Sequence, residues 1–349
     1  MIISRTPFRI SFFGGGTDYP SWYKHNGGAV LATSINKYCY LTCRYLPPFF
    51  DHRIRIVYSK IEDCETIDQI QHPVVKASLL HRDIRLGMEI HHDGDLPARS
   101  GMGTSSSFTV GLLHALSALK GEMASKRQLA EESIFIERDV LQETVGCQDQ
   151  VLASYGGFNH VVFEKTGNIL INPVTVHPDK LSELNDNLLL FYTGIQRSSS
   201  EVASTYANTL SSKDQQMQEI SDMVNEGISI LAGNSSIEDF GKLLNHGWQS
   251  KRAISPSVSN PEIDLIYENA IRSGAVGGKL LGAGGGGFIL ICASPNNHGK
   301  IKDRLNQLTH VPFRFDSTGT QIILFDPEED YSDEDRVRAD RITTNKLQK

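Results

Sequence analysis

The stretch Asp95–Phe108, DLPARSGMGTSSSF, combines two glycines with four consecutive hydroxyl side chains. Gly101 and Gly103 allow the backbone to approach a ligand closely, and apolar residues at helical spacing predict that a buried helix begins at the serines. Because the first turn of a helix carries unpaired N–H groups and partial positive charge, it attracts phosphate oxygens. The stretch therefore predicts a phosphate-binding loop; the alternative is that Thr104 or Ser105 only caps the helix.

This loop is neither of the two common nucleotide-binding loops. No lysine follows the glycines as a Walker loop requires, and Ser106 stands at the third glycine position of the dinucleotide fingerprint. A hydroxyl at the helix start also offers the oxygen ligand that Mg2+ prefers. The residue types therefore predict a phosphate and magnesium site of another kind.

The composition narrows the class of protein. With 349 residues, the chain is long enough for two domains, and 39% hydrophobic with 21% charged residues is typical of a packed globular protein. A net charge of −7 argues against a nucleic-acid partner. Five scattered cysteines predict free thiols in a reducing cytosol. With no secretory segment or apolar span, we expect a cytoplasmic protein without membrane contact.

The elements that must position the loop change character along the chain. Alternating apolar residues over Tyr38–Leu46 and Arg53–Ser59 predict strands in a first, strand-rich α+β domain covering residues 1–185. A helix is expected over Ser125–Glu143. A second α+β domain is predicted over residues 186–349, covered by helices and closing with two strands. The helices are predicted at about 200–232, 237–250, 261–273 and 296–308, and the strands at VPFRF and QIILF.

Two further motifs accompany the loop: RTPFRISFFGGGTDYP near the N-terminus and GGKLLGAGGGGFILI near the C-terminus. Together the three resemble, in order and spacing, the motifs of the GHMP kinases. The resemblance covers about residues 5–325. The matching positions are Pro7, Arg9, Thr17 and Asp18 in the first motif, Pro97, Gly101, Gly103, Thr104 and Ser105 in the second, and Gly282, Gly284, Gly285, Gly286 and Gly287 in the third.

The resemblance implies a fold, a cofactor and a nucleotide site. The fold would be the α+β, two-domain GHMP kinase fold, with a ribosomal-protein-S5-like N-terminal domain and a ferredoxin-like C-terminal domain with added helices. ATP and Mg2+ would bind in the cleft between the domains, and the third motif would brace the loops around the phosphates. The residues expected to contact the nucleotide are Gly101, Met102, Gly103, Thr104, Ser105 and Ser106.

The same resemblance implies the residues for phosphoryl transfer. Glu137 and Asp149 have the spacing seen in galactokinases, and GCQDQ resembles that group's GIMDQ. Ser105 and Glu137 would then bind Mg2+, with Glu143 as the alternative ligand, and Asp149 would act as general base. The alternatives are that Glu137 pairs with a basic residue on the surface, Arg138 or Lys126, and that Asp149 caps the next segment.

Arg9 and Asp18 match the family's cation near the transferring phosphoryl group and its sugar-binding carboxylate. Arg9 would stabilise the transition state, or it would form only a salt bridge at the end of a strand. Asp18 would accept hydrogen bonds from sugar hydroxyls, or it would be an ordinary turn residue. Gly15 and Gly16 replace the Glu-His pair of galactokinases, which predicts a wider pocket; the expected substrate-binding residues are Gly15, Gly16, Thr17, Asp18 and Arg197.

Within the family, the motifs are most similar to those of bacterial kinases that phosphorylate the anomeric C1 hydroxyl of D-glycero-D-manno-heptose 7-phosphate, on the route to a nucleotide-activated heptose. A small-molecule sugar phosphate is therefore the expected partner, bound to a monomer or homodimer. Arginine is the usual phosphate ligand, and the further cations considered are Lys37, Arg44, Arg99 and the pair Lys251 and Arg252. The adenine pocket is expected near Tyr58–Val75.

Other functions remain open at the level of sequence. An L-fucokinase-like kinase or another sugar-1-kinase would share most of the pattern. A non-catalytic sensor of ATP or sugar would keep the three motifs but lose the base or the metal ligand, whereas Asp149 and Glu137 are both present. Mevalonate diphosphate decarboxylase shares the fold, but the sugar-kinase-like Thr17-Asp18 pair does not suggest its acidic substrate.

Overall fold

The computed structural model describes residues 1–98, 100–195, 213–326, 331 and 333–338. These residues contain two sheets, one of nine strands and one of four. The strands are β1 (Ile2–Phe13), β2 (Gly28–Tyr45), β3 (Ile54–Val57), β4 (Ile61–Cys64), β5 (Met88–Gly94), β6 (Phe158–Phe163), β7 (Ile169–Pro173), β8 (Leu188–Tyr192), β9 (Gly277–Leu280), β10 (Phe288–Cys292), β11 (Thr309–His310), β12 (Phe315–Asp316) and β13 (Gln321–Phe325).

The larger sheet has the order β13-β1-β2-β5-β3-β4, and β2 also pairs with β6 and β12, while β7 pairs with β6. All its pairs are antiparallel except β3 with β5. The smaller sheet has the order β11-β8-β10-β9 and is antiparallel throughout. The mixture of helices and sheets confirms the predicted α+β class.

Helices cover both sheets. They are α1 (Pro20–Asn26), α2 (Pro73–His81), α3 (Thr104–Leu119), α4 (Lys126–Ile134), α5 (Gln148–Tyr155), α6 (Pro178–Asp186), α7 (Asp214–Ala232), α8 (Ile237–Ile254), α9 (Pro261–Arg272) and α10 (His298–Arg304). Three 3-10 turns lie at Ile67–Gln69, Pro256–Val258 and Pro295–Asn297. A further helical segment covers residues 333–338.

Strand β1 lies at the centre of the molecule and explains how the site is held. Its residues are buried from Thr6 to Phe13, because helices α3 and α5 and helices α7 and α8 contact it. A strand covered on both faces reads as a nearly continuous apolar run. Arg9 is a charged residue within this run, so its charge must be balanced by partners inside the protein.

The chain departs from the predicted helix over Ser125–Glu143. Helix α4 ends at Ile134 and continues as a π-helical turn, Phe135–Val140. The wider turn carries Glu137, which is completely buried. Turns of this kind are often found at functional sites.

The end of the chain returns to the first sheet. Strand β13 pairs with β1, and β12 pairs with β2, although the sequence analysis places these residues in the second domain. The boundary between residues 185 and 186 stays a prediction; the smaller sheet begins at Leu188.

The C-terminal segment is anchored in part through Asp335. Asp335 is 4% exposed and pairs with Arg53, whose NH2 atom lies 2.5 Å from Oδ2. The backbone N–H of Gly87 donates to the same oxygen at 3.0 Å. The five cysteines are all buried free thiols, as predicted.

Candidate active site

The phosphate loop connects β5 to α3. Gly103 is the residue before the helix, has a left-handed φ of 72°, and no side chain caps the helix N-terminus. The alternative in which Thr104 or Ser105 caps the helix is therefore wrong. A Cβ atom on Gly103 would lie 3.3 Å from Cγ of Arg9 and 3.4 Å from Cγ of Asp149. The helix start thus opens directly onto that pair of side chains.

The third motif packs against this loop. The backbone N–H of Phe288 donates to the carbonyl oxygen of Ser100 at 3.3 Å. A Cβ on Gly282 would lie 2.5 Å from Cα of Gly101, and a Cβ on Gly287 would lie 2.2 Å from the oxygen of Ser100. Only glycine permits these approaches, so the motif braces the loop as expected.

Arg9 and Asp149 form a two-point ion pair at the foot of the loop. Nε and NH2 of Arg9 donate to Oδ1 and Oδ2 of Asp149 at 2.7 and 2.8 Å. The NH1 atom donates to the carbonyl oxygen of Gly101 at 2.7 Å. The side chain of Asp149 is 25% exposed and that of Arg9 only 5%. The arginine therefore fixes both the carboxylate and the loop, and one edge of the carboxylate faces the cleft.

Asp18 is buried beside this pair. Its Oδ1 accepts a hydrogen bond from the backbone N–H of Gly16 at 3.0 Å, and its Oδ2 accepts one from that of Gln148 at 3.3 Å. Burial, and to a smaller extent the charge of Asp149, raises the pKa of Asp18 above its usual value. A Cβ on Gly146 would lie 1.9 Å from Oδ2 of Asp18, which explains the glycine in GCQDQ. Asp18 therefore lies close enough to Asp149 for the two charges to interact.

The other predicted substrate residues take different places. Gly15 has room for a small side chain, because a Cβ on it would lie 3.7 Å from Oγ of Ser11 and 4.0 Å from Nε2 of Gln148. The Oγ1 atom of Thr17 donates to the oxygen of Gly14 at 2.8 Å and accepts from the N–H of Ala29 at 3.0 Å. The hydroxyl of Thr17 therefore holds the turn. Arg197 lies outside the described residues, as does Arg99.

Glu137 lies under the start of α3. Its Oε2 accepts hydrogen bonds from Oγ of Ser106 at 2.9 Å and Nε2 of Gln150 at 2.5 Å, and its Oε1 accepts one from Oγ1 of Thr109 at 2.6 Å. Burial raises the pKa of Glu137 to about 7. The surface alternative for Glu137 is wrong, because Arg138 pairs with Asp139.

The side chains around Glu137 offer oxygen atoms as metal ligands. The hydroxyls of Ser106 and Thr109 contact the carboxylate, while Ser105 is exposed. The carbonyl oxygen Oε1 of the Gln150 side chain is buried without a hydrogen-bond partner. Among the described residues, no three His, Cys, Asp or Glu side chains cluster as a metal site. One carboxylate with hydroxyl oxygens is the donor set of a Mg2+ ion bound together with phosphates.

Two buried lysines reach the cleft from the second half of the chain. Nζ of Lys251, on α8, donates to the oxygen of Gly282 at 2.5 Å. Nζ of Lys279, on β9, donates to the oxygen of Phe12 at 2.7 Å. Lys251 and Arg252 were considered as a pair of phosphate ligands, but Arg252 pairs with Asp264 at 2.8 Å. Lys279 was not among the predicted cations, although a lysine inside a glycine motif is a signal that could have pointed to it.

The remaining predicted cations lie elsewhere or pair with carboxylates. Arg44 binds Glu89, with Nε 2.6 Å from Oε2. Lys37 is half-buried on β2. Near the predicted adenine region, His72 stacks on Phe108 with ring centroids 4.8 Å apart, and Tyr58 contacts His72 edge-on.

The fold and this site define a phosphotransferase built around a glycine-rich phosphate loop. The chain belongs to the GHMP kinase family: the GHMP kinases N terminal domain matches residues 72–157, and GHMP kinases C terminal matches residues 230–309. It is an enzyme of the sugar-kinase type that transfers phosphate to a hydroxyl group.

Named relatives include kinases of several sugars. The chain is 29% identical over 306 residues to D-glycero-alpha-D-manno-heptose 7-phosphate kinase from Campylobacter jejuni, covering 84% of this chain and 90% of that protein. It is 27% identical to L-fucokinase/L-fucose-1-P guanylyltransferase from Bacteroides fragilis, covering 84% of this chain but 34% of that protein. A D-glycero-D-manno-heptose 1-phosphate kinase from Bacteroides thetaiotaomicron has the same fold, with a TM-score of 0.76 at 23% identity over 95% of this chain and 100% of that one.

Helices of the described segments are also too short or too polar to cross a membrane.

Proposed function

We propose that the protein phosphorylates the anomeric C1 hydroxyl of D-glycero-D-manno-heptose 7-phosphate, with ATP as donor, in the formation of a nucleotide-activated heptose. The observation that carries the proposal is the 29% identity to the Campylobacter jejuni heptose 7-phosphate kinase over nearly the full length of both chains. The γ-phosphoryl group moves to the C1 oxygen, its bond to the β-phosphate oxygen breaks, ADP leaves, and the hydroxyl proton goes to a carboxylate.

Asp149 is the carboxylate proposed to take that proton. It lies at the start of α5, one edge faces the cleft, and the loop that would hold the phosphates is in van der Waals contact with it. Arg9 orients both carboxylate oxygens and lies between Asp149 and Gly101. A fixed cation in this place balances the carboxylate and also opposes the charge that develops on the transferring group.

Glu137 and Ser105 are the proposed Mg2+ ligands, with Ser106 positioning the Glu137 carboxylate. The buried carboxylate and the unpartnered oxygen of Gln150 are the features that fit a cation here. When bound, Mg2+ would neutralise negative charge on the phosphates of ATP. The protein's own contribution is to keep the Glu137 carboxylate oriented through three hydrogen bonds.

The sugar is proposed to bind between Asp18 and the turn at Gly15 and Gly16. Asp18 is fixed by two backbone N–H groups and can accept hydrogen bonds from sugar hydroxyls. The glycines leave space for a seven-carbon sugar that carries a phosphate. Arg197 remains the proposed ligand of that phosphate. We also keep the cytoplasm as the proposed location and a monomer or homodimer as the proposed assembly.

A second candidate is a kinase of L-fucose or a related unphosphorylated sugar. The 27% identity to the Bacteroides fragilis fucokinase favours it. It would use the same loop, carboxylates and arginine, but would need no cation for a substrate phosphate.

The test is ADP release with Mg-ATP against heptose 7-phosphate, mannose, galactose, L-fucose and mevalonate. We expect turnover with the heptose phosphate, and loss of the product's reducing end because C1 is blocked. Turnover only with L-fucose would favour the second candidate, and a product that keeps its reducing end would exclude C1 as the acceptor.

The pocket itself can be tested with Gly15→Ala. The added Cβ would lie in ordinary contact with Ser11 and Gln148, so the fold should tolerate it. We expect a KM for the sugar about 10-fold higher with an unchanged KM for ATP, since a side chain now occupies sugar space. Gly299→Ala, on α10 with open space around its Cβ, is the control and should behave like wild type.

A further inference from the structure

Lys251 is a charged residue that the fold buries. The side chain lies on α8 and the residue is only 8% exposed. Burying an ammonium group costs free energy that a methionine or leucine of similar size would avoid. A desolvated cation in a cleft is a candidate for binding an anion.

The position of Lys251 relates it to the phosphate loop. Its Nζ donates to the oxygen of Gly282, and Gly282 is in direct contact with Gly101. The oxygen of Gly101 in turn accepts a hydrogen bond from NH1 of Arg9. Two cations, one from each half of the chain, therefore flank the contact between the second and third glycine motifs.

The charges that face Lys251 agree with this position. Burial, and to a smaller extent the charge of Arg9, lowers the pKa of Lys251 to about 8, while the charge of Asp18 acts in the opposite direction. Lys279, on the neighbouring β9, is also buried, and burial together with Lys251 and Arg9 lowers its pKa. Lys251 thus lies within electrostatic range of both the arginine at the loop and the carboxylate proposed to bind the sugar.

From these contacts we propose that Lys251 binds an oxygen of the γ-phosphoryl group of ATP and, with Arg9, holds that group from the opposite side of the cleft. The inference rests on the kinase activity and not on the identity of the sugar. It makes Lys251 a catalytic residue, because the charge on the transferring group would be shared by two fixed cations.

Nucleotide binding without sugar provides the first test. Calorimetry would compare Mg-AMP-PNP with Mg-ADP for wild type, Lys251→Met and Lys251→Arg. We expect Lys251→Met to weaken the binding of AMP-PNP about 10- to 100-fold, the value of a charge-assisted hydrogen bond. The affinity for ADP should change less than twofold. Lys251→Arg should recover part of the loss.

The matched control is Arg252→Met. Arg252 is the next residue on the same helix, but it points to Asp264 on α9. It should bind both nucleotides as wild type does.

Each alternative gives a different pattern. If Lys251 only supports the third motif through Gly282, Lys251→Met should weaken the binding of both nucleotides equally, which overturns the proposal. If it binds the phosphate of the sugar, AMP-PNP binding stays unchanged and only the KM for the sugar phosphate rises, which also overturns it. Because no sugar is present in the binding assay, its result can still be interpreted if the heptose assignment is wrong.

The pH profile of kcat/KM for ATP is the second test, and it does not depend on Lys251→Met folding. The charged ammonium is present below its pKa of about 8 and is lost above it, so activity should fall above pH 8 in wild type. Arginine keeps its charge in this range, so the fall should move to higher pH in Lys251→Arg. An identical alkaline limb in both proteins would contradict the proposal.

Discussion

Two acidic regions meet at the start of α3, and the protein treats their carboxylates in opposite ways. Asp149 is clamped at two points by the guanidinium of Arg9. Glu137 is buried among neutral donors, a serine, a threonine and an amide, and burial raises its pKa to about 7. The charge of Asp149 is balanced within the protein, whereas that of Glu137 is not balanced by any of these donors.

The difference separates the roles of the two carboxylates. A carboxylate whose cation is supplied by the chain is ready to accept a hydrogen bond from a hydroxyl. A buried carboxylate with only neutral donors gains most when a cation arrives with the ligand. The comparison therefore favours Asp149 as the base and Glu137 as the metal ligand.

Asp149→Asn should have the largest effect on turnover. The amide keeps the size of the side chain but cannot take the proton, so we expect kcat to fall by about 10³- to 10⁴-fold. Mg-AMP-PNP binding should change little, whereas the melting temperature should fall, because the buried guanidinium of Arg9 loses the charge that balances it; kcat is therefore compared at a temperature where the variant is folded. Asp139→Asn, on the exposed side of the π-helical turn, is the control for loss of one carboxylate. If Asp149→Asn kept a tenth of wild-type kcat, Asp149 would not be the base.

Glu137→Gln should reduce activity less than Asp149→Asn does, and it should change how stability depends on pH. We expect kcat to fall about 100-fold, with a higher Mg2+ requirement, because the metal loses a charged ligand. In EDTA the wild-type protein should become less stable as pH rises from about 4.5 to about 7, since the folded state holds a proton that the unfolded state releases.

That pH dependence can be measured by urea unfolding at pH 5 and pH 8. The contribution of Glu137 to the loss is at most about 3 kcal/mol, from the shift between 4.5 and about 7. It should be absent in Glu137→Gln, so the difference between wild type and variant isolates it from Asp18, whose raised pKa acts in the same direction. Equal slopes for both proteins would show that Glu137 is not the unbalanced carboxylate.

The sequence predicted the parts of this comparison that depend on local pattern. The helix that apolar spacing predicts to begin at the serines begins just before them, at Thr104. The assignments of the glycine motifs, Arg9 and Asp149 came from the resemblance of short segments to the GHMP kinase motifs. Which of several neighbouring serines contacts Glu137 depends on the rotation of a helix, about 100° per residue. For this reason Ser106, not Ser105, is the one in contact.

Long-range pairing was beyond the sequence for a different reason. Nothing local in β13 says that its partner is β1, about 320 residues earlier in the chain. Likewise, the charged residues of the C-terminal segment do not indicate that Asp335 is buried against Arg53. Lys251 and Arg252 look equivalent in sequence, yet one faces the cleft and the other an acidic partner on α9.

The Arg53–Asp335 pair sharpens the comparison, because here too an arginine binds a carboxylate at two points, but away from the cleft. Nε and NH2 of Arg53 lie 3.1 and 2.5 Å from the two oxygens of Asp335. The side chain of Asp335 is 5% exposed, against 25% for that of Asp149. Asp335→Asn should therefore cost about 2 to 4 kcal/mol in the free energy of unfolding, as expected when one member of a buried ion pair is removed.

Its kcat and both KM values should stay within twofold of wild type at a temperature where the variant is folded. Urea unfolding and steady-state kinetics on the same preparation would check both expectations. A matching loss of kcat would mean that the clamp on Asp149 owes its effect to general stability. An unchanged kcat, beside the loss in Asp149→Asn, would show that the same ion-pair geometry acts in catalysis only where the carboxylate edge faces the phosphate loop.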